Sequence, residues 1–183
     1  MEYLDARRLT GSNLLWDKPG SVLDVSCTPE EADLLIPFCE SGIRIMLDAV
    51  GWDRETICHT RLAGGASIAF SGPIDALYAA SAINEWAWAC CDARFNGADR
   101  PVFDETVSEI RAAIDDEINP PLLALEQAAL VNGVSFLWDD DEVSVGHGTG
   151  SKTWPFRELP DPSTLNWPEF HDVPTAIVTG TNG

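Results

Sequence analysis

The pattern of apolar and polar positions predicts two strands and a long helix at the start of the chain. Residues 2–10 and 21–27 are β-prone and partly alternating, and turn residues separate them. Thr28 precedes Pro29 and two acids, a pattern typical of a helix N-cap and first turn. We expect this helix to end at Gly51. Its predicted apolar face comprises Leu34, Leu35, Phe38, Ile43, Ile45, Met46 and Leu47.

The middle of the chain predicts one strand and three helices. Residues 61–70 have the pattern of a strand interrupted by glycines. After the turn at residues 71–73, a helix is predicted to run to about Cys91, because the following residues and the alanines recur at near-helical spacing: Ile74, Leu77, Tyr78, Ser81 and Trp88. Two further helices are predicted at residues 103–118, which carry several acids, and at residues 122–131.

The last third of the chain differs in character. Two short strands are predicted at residues 134–138 and 142–145, and a glycine-rich segment follows at 146–150. These elements together predict an α+β fold: a two-layer N-terminal domain in which a small antiparallel sheet packs with about four helices. The expected domain order is an N-terminal accessory domain at 1–157, a proline-rich linker at 158–172, and at 173–183 the first strand of an incomplete α/β P-loop domain.

The charge of the chain narrows the classes of partner. The 11 Lys and Arg residues oppose 30 Asp and Glu residues, which gives a net charge of −19. Nucleic acids and anionic membrane surfaces are bound through basic patches, so neither is an expected partner. A cationic amino acid or peptide, such as one containing arginine, fits this charge better, and an acidic surface that only promotes solubility is the simpler interpretation.

Cysteine usage and hydropathy predict a cytoplasmic protein. The five cysteines include a vicinal pair but no C-x-x-C motif, which fits neither a disulfide framework nor a zinc site. The N-terminal sequence has no apolar core of a signal peptide, and no apolar run is long enough to span a membrane.

The end of the chain carries a nucleotide-binding pattern. The apolar residues 176–178 lead directly into Thr179, Gly180, Thr181, Asn182 and Gly183. A strand that enters a glycine-bounded turn is the geometry with which phosphate-binding loops present backbone N–H groups to a nucleotide. We therefore predict that these five residues bind the phosphate groups of a ligand.

This segment strongly resembles the ATP-binding loop of the Mur ligase superfamily, in which a strand precedes T-G-T-N-G-K-T. Two alternatives remain open. Residues 176–180 also fit the dinucleotide-binding pattern of short-chain dehydrogenases, and a glycine-rich tail without a ligand is the simplest alternative. A lysine and a Thr or Ser after Gly183 would distinguish the Mur pattern from the dehydrogenase pattern.

Two other segments resemble the N-terminal region of cyanophycin synthetases. They are R-L-T-G-S-N-L-L-W at residues 8–16 and V-G-H-G-T-G-S-K at 145–152. Ser12, His147 and Ser151 replace the proline, tyrosine and glutamine of those enzymes. Only 27 positions separate Lys152 from Thr179 (179 − 152), so the ATP-grasp domain of those enzymes is missing.

The resemblance implies an ATP-dependent ligase that joins a carboxylate to an amine, with ATP and Mg²⁺ as cofactors of the full-length parent. The missing C-terminal Mur catalytic domains are then the expected partners, and the metal ligands and catalytic residues are expected in them. The present chain is expected to be a substrate-binding or scaffolding fragment that is inactive alone and binds neither cofactor well. A non-catalytic acidic binding or homo-oligomerisation domain is the alternative.

Other candidate residues have simpler structural interpretations. His147 lies between two glycines and is interpreted as part of a turn. Cys58 and His59 lie near Glu55, but the sequence offers no partner residue that would complete a nucleophilic or metal site with them. The acids at 139–141 lack the alternate spacing of a calcium loop and are interpreted as a hairpin turn.

Overall fold

The computed structural model describes residues 1–174 and has an α+β fold, as the sequence predicts. The chain divides into two compact units, Met1–Ile118 and Asn119–Gly183, which are described separately below. The predicted strand at 176–178 and the predicted ATP-binding residues Thr179, Gly180, Thr181, Asn182 and Gly183 lie outside the described residues.

The first unit is built on a four-stranded antiparallel sheet. Its strands are β1 (Glu2–Leu9), β2 (Gly20–Ser26), β3 (Ile57–Leu62) and β4 (Gly65–Ser71), in the order β1-β2-β4-β3. The prediction of a single interrupted strand at 61–70 is wrong, because the chain reverses at Gly64, whose φ is +90°. This conformation suits glycine, so Ala63 and Gly64 make a two-residue hairpin turn between the two strands.

Helix α1 (Pro29–Val50) has the ends that the sequence predicts. The Thr28 hydroxyl accepts a hydrogen bond from the Glu31 backbone N–H, and the Glu31 carboxylate accepts one from the Thr28 N–H. This reciprocal capping box satisfies two N–H groups at the start of the helix. At the other end, Gly51 adopts the left-handed conformation with φ +87°, which ends the helix.

Helices α2 (Leu77–Phe95) and α3 (Phe103–Glu117) complete the first unit. Helix α2 packs on β1 and β2, α1 packs on β3 and β4, and α3 contacts both helices. The core between sheet and helices contains the fully buried side chains Leu23, Ile68, Phe70, Leu35, Ile43, Met46, Leu47, Leu77 and Ile83. The layer of helices on the sheet is the two-layer arrangement expected of an α+β domain.

Three residues assigned to apolar faces lie on the surface instead. Leu34 and Ile45 of α1 are 61% and 53% exposed, and Tyr78 of α2 is 57% exposed. Their predicted burial is wrong because each helix covers the sheet with only one stripe of side chains.

The second unit contains helix α4 (Pro120–Asn132) and an antiparallel sheet of β5 (Phe136–Trp138), β6 (Glu142–Val145) and β7 (Lys152–Pro155). Asn119 caps α4, and Gly133, with φ +67°, ends it. Strand β7 was not predicted from the sequence, since its four residues show no clear apolar alternation.

The segment predicted as a linker, residues 158–172, has local structure in the second unit. It contains two short 3₁₀ turns, Pro162–Thr164 and Trp167–Glu169. Phe170 is only 4% exposed, and its ring lies 6.1 Å from that of Trp154 and 5.5 Å from that of Trp167. These aromatic contacts hold the segment against β7.

Candidate functional site

The described part of the candidate site is the glycine-rich turn that follows β6. Gly146 has φ +79° and Gly148 has φ +60°, so both adopt the left-handed conformation that glycine allows. A Cβ atom on Gly146 would lie 2.4 Å from the Gly150 carbonyl oxygen, and one on Gly150 would lie 2.5 Å from the His171 carbonyl oxygen. Glycine is therefore required here by close backbone approach as well as by conformation.

Backbone hydrogen bonds join this turn to the chain that leads toward the predicted ATP-binding residues. The His147 N–H donates to the His171 carbonyl at 3.1 Å, and the His171 N–H donates to the Gly150 carbonyl at 3.2 Å. The Gly146 N–H donates to the Ser135 carbonyl at 2.8 Å. The turn thus fixes the position of His171, which precedes Thr179 by eight positions (179 − 171).

The side chain of Asp172 gathers three groups around this turn. It accepts hydrogen bonds from the Ser135 backbone N–H at 3.1 Å and from the Ser135 hydroxyl at 2.8 Å. His147 Nδ1 lies 3.6 Å from Asp172 Oδ1, so a protonated imidazole would form an ion pair with this carboxylate. His147 therefore has the structural partner that its sequence neighbours do not reveal, 25 positions further along (172 − 147).

Lys152 is the last residue of the segment 145–152, which also resembles cyanophycin synthetases. Its side chain lies against Glu169 and Phe170. Its Nζ atom is 3.0 Å from Glu169 Oε2 and 5.2 Å from the centre of the Phe170 ring. The amide donor of Asn166, followed by the neighbouring Lys152 cation, lowers the pKa of Glu169. This lysine is thus engaged with its own unit.

Residues 8–16, which resemble a segment of cyanophycin synthetases, lead from the end of β1 into the turn before β2. The side chain of Asn13 stabilises this turn. The Asn13 carboxamide oxygen accepts from the Leu15 and Trp16 backbone N–H groups at 2.9 and 3.2 Å. Its Nδ2 atom donates to the carbonyls of Gly11 and Lys18. An asparagine that bonds its local backbone in this way stabilises a loop, which gives this position a structural role.

The residues around Cys58 do not form the grouping considered from the sequence. His59 Nδ1 lies 2.7 Å from Glu40 Oε1, whereas the Glu55 carboxylate accepts from the Ser71 hydroxyl. Burial, and secondarily the Glu40 charge, raise the pKa of the Cys58 thiol. A raised pKa opposes formation of the reactive thiolate, so this thiol is not activated as a nucleophile.

The acidic turn at residues 139–141 closes the β5–β6 hairpin. Asp139 Oδ1 accepts from the Asp141 and Glu142 backbone N–H groups at 2.9 and 2.8 Å. This carboxylate is therefore engaged by the turn itself. Across residues 1–174, no group of three or more His, Cys, Asp or Glu side chains is arranged to hold a metal ion.

Comparisons with known proteins add no relative on which to base an assignment. No protein-family model matches the chain, and no curated protein matches it. Within the part of the chain that the structure describes, no helix is both long and apolar enough to cross a membrane.

Proposed function

We propose that this chain is the N-terminal accessory region of an ATP-dependent ligase of the Mur type, which joins a carboxylate to an amine. The observation that carries the proposal is the sequence T-G-T-N-G at residues 179–183, directly after an apolar strand pattern. Glycines and backbone N–H groups in such a turn suit the phosphates of a nucleotide, with Mg²⁺ as its counter-ion.

The glycine-rich turn supports this proposal by its place in the chain. It holds His171 and Asp172 through backbone and side-chain contacts, just before the apolar residues 176–178. In the proposed ligase this contact anchors the accessory region where the nucleotide-binding domain begins. The catalytic domains of this ligase would carry out the reaction, because amide-bond formation with ATP needs a lysine and a magnesium-binding hydroxyl group after the last glycine of the loop.

The coding sequence after Gly183 tests this proposal directly. Lys followed by Thr or Ser supports the Mur loop, whereas a Gly-x-Gly continuation supports the dinucleotide-binding alternative. The 183-residue chain should neither hydrolyse ATP nor form amides. A metal-dependent ATPase activity of the purified chain, absent from a Thr179→Ala/Gly180→Ala variant, would contradict this division of roles.

A second candidate function is the binding of a cationic, arginine-containing substrate or peptide. Helix α3 favours it, because it exposes five acidic side chains: Asp104, Glu105, Glu109, Asp115 and Asp116. Attraction of this kind weakens as salt screens the charges. Binding of a hexa-arginine peptide should therefore fall between low and high salt and fall again when Glu109 and Asp116 are replaced by Gln and Asn. Salt-independent binding would exclude this mode.

A further inference from the structure

The first unit contains a cavity of about 230 Å³ between α1, α2 and the segment that leads into α3. Phe38, Gly42 and Ile45 line it from α1, Trp86 lines it from α2, and Arg100 and Phe103 close it. All of these residues belong to the unit Met1–Ile118. None of them belongs to the glycine-rich turn described above.

The walls of this cavity are aromatic and incompletely covered. The rings of Trp86 and Phe103 lie 5.7 Å apart between centres, and Phe38 provides a third aromatic side chain. Ile45 and Phe103 are 53% and 36% exposed, so the fold leaves apolar surface open at this place. Convergent aromatic side chains around a concave space are typical of small-molecule sites.

The indole N–H of Trp86 is a hydrogen-bond donor without an acceptor among the described residues. The side chain that carries it is buried. A buried donor without a partner costs stability, and such groups are rare in folded proteins. This orphaned donor belongs to one of the aromatic residues that line the cavity.

Arg100 places a cation at the edge of this apolar space. Burial raises the pKa of the Cys90 thiol and the nearby Arg100 charge opposes this shift, whereas no carboxylate among residues 1–174 forms an ion pair with Arg100. The charge of Arg100 therefore lies beside the apolar cavity without a carboxylate that neutralises it. Arginine binds carboxylates through paired hydrogen bonds of fixed geometry.

We propose that this cavity binds a small aromatic carboxylate. Its ring lies among Phe38, Trp86 and Phe103, and its carboxylate pairs with Arg100. The size agrees with such a ligand, because an apolar cavity of roughly 150 Å³ holds benzene. The larger volume here leaves space for a second ring or for the carboxylate.

Calorimetric titration of the full chain with 2-naphthoate tests the proposal, with 2-naphthamide as the neutral ligand of the same shape. We expect saturable 1:1 binding of the carboxylate, and binding of the amide weaker by about tenfold or more. Arg100→Gln should weaken naphthoate binding by a similar factor. Arg54→Gln, which removes the same charge from an exposed turn outside the cavity, should leave it unchanged.

A second variant tests the cavity itself. A Cβ atom on Gly42 would have only the Trp86 ring within 4 Å, at 3.7 Å, so Gly42→Leu introduces a side chain at the cavity wall without a backbone clash at Cβ. Because leucine favours helix more than glycine does, the variant should fold at least as stably and yet lose naphthoate binding. In nuclear magnetic resonance spectra, the indole N–H signal of Trp86, assigned with Trp86→Phe, should shift in proportion to naphthoate saturation.

Three results would overturn the proposal. They are the absence of saturable binding, equal binding of the acid and the amide, and unchanged binding by Gly42→Leu. A different outcome would show that a second copy of the chain covers this face. In that case the chain would not bind naphthoate, and sedimentation would detect self-association that Ile45→Glu abolishes.

Discussion

The carboxylate of Glu117, at the end of α3, caps the first turn of α2 by accepting a hydrogen bond from the Ala79 backbone N–H at 2.6 Å. It also accepts one from the Tyr78 N–H at 2.8 Å, across 39 positions of sequence. Helix α2 has no side-chain cap of its own, because Ala76 precedes it. A residue distant in sequence thus supplies what Thr28 supplies locally to α1.

Replacing Glu117 with alanine should destabilise the first unit. The variant leaves two N–H groups of α2 without their acceptor, and the loss of a helix cap typically costs about 1–2 kcal/mol. Chemical denaturation followed by circular dichroism measures the change. Glu109→Ala, an exposed acid on the same helix, is the control and should change the free energy of unfolding by less than about 0.5 kcal/mol.

The titration of Glu117 should give the stability a distinctive pH dependence. Burial raises the pKa of this carboxyl group above its usual value, although the two amide hydrogen bonds oppose the shift. The folded chain therefore holds this proton more tightly than the unfolded chain does. The stabilisation from this group is complete below the unfolded pKa of about 4.3 and is lost as the pH rises through the raised value.

Comparison with Glu117→Gln isolates this effect. The stability of the wild-type chain relative to the variant should increase as the pH falls from about 7 to about 4. Urea titrations at several pH values measure it. A relative stability that decreases toward acid would show that the amide hydrogen bonds, and not burial, control this carboxyl group.

Glu31 should behave in the opposite way. The Thr28 backbone N–H, followed by the amino group of Met1, lowers the pKa of Glu31. The contribution of its charge is therefore present above the unfolded pKa and is lost as the pH falls through the lowered value. The stability difference between wild type and Glu31→Gln, which retains an acceptor for the Thr28 N–H, should shrink toward acidic pH. A pH-independent difference would contradict this assignment.

The glycine-rich turn should tolerate no side chain at Gly146. Gly133→Ala is a matched control in the same unit, because its φ is +67° and a Cβ atom there meets nothing within 4 Å. We expect the control to cost about 1 kcal/mol from backbone strain alone. Gly146→Ala, which brings a Cβ atom to 2.4 Å from the Gly150 carbonyl oxygen, should cost roughly 1–3 kcal/mol more.

Hydrogen exchange locates the damage that Gly146→Ala causes. The backbone N–H groups of His147 and His171 form the bonds that join the turn to the following segment, so their protection should fall first. Equal protection in Gly146→Ala and Gly133→Ala would show that the close backbone approach has no energetic consequence.

The cysteines should differ strongly in reactivity. The Sγ atoms of Cys39 and Cys91 lie 2.6 Å apart in the core, and this hydrogen bond, followed by burial, raises the pKa of Cys39 far above its usual range. Cys58 is only half-buried. Pulses of N-ethylmaleimide followed by mass spectrometry should therefore label Cys58 before Cys39 and Cys91, and unfolding in guanidinium should remove the difference. Equal labelling of the native chain would contradict this order.

Helix ends were predictable because their causes are local. The Thr28 cap and the glycines after α1 and α4 act within a few residues of the helix that they begin or end. The cap that Asn119 gives to α4 was not predicted, because Asn119-Pro120-Pro121 is also a typical end of the preceding helix. The T-G-T-N-G motif is local in the same sense, and it stays a prediction from sequence alone.

Tertiary contacts decided the remaining features. Nothing in the local sequence distinguishes the exposed Leu34 from the buried Leu35, since only the position of the sheet determines which stripe of α1 is covered. The capping of α2 by Glu117 and the contact of His147 with His171 each join residues far apart in sequence, whose relation depends on packing. By itself, the sequence determined the α+β class, both ends of α1 and the C-terminal end of α4, because patterns of neighbouring residues encode these features. The arrangement of the turn and of the aromatic cavity required the folded chain, because each is formed by residues distant in sequence.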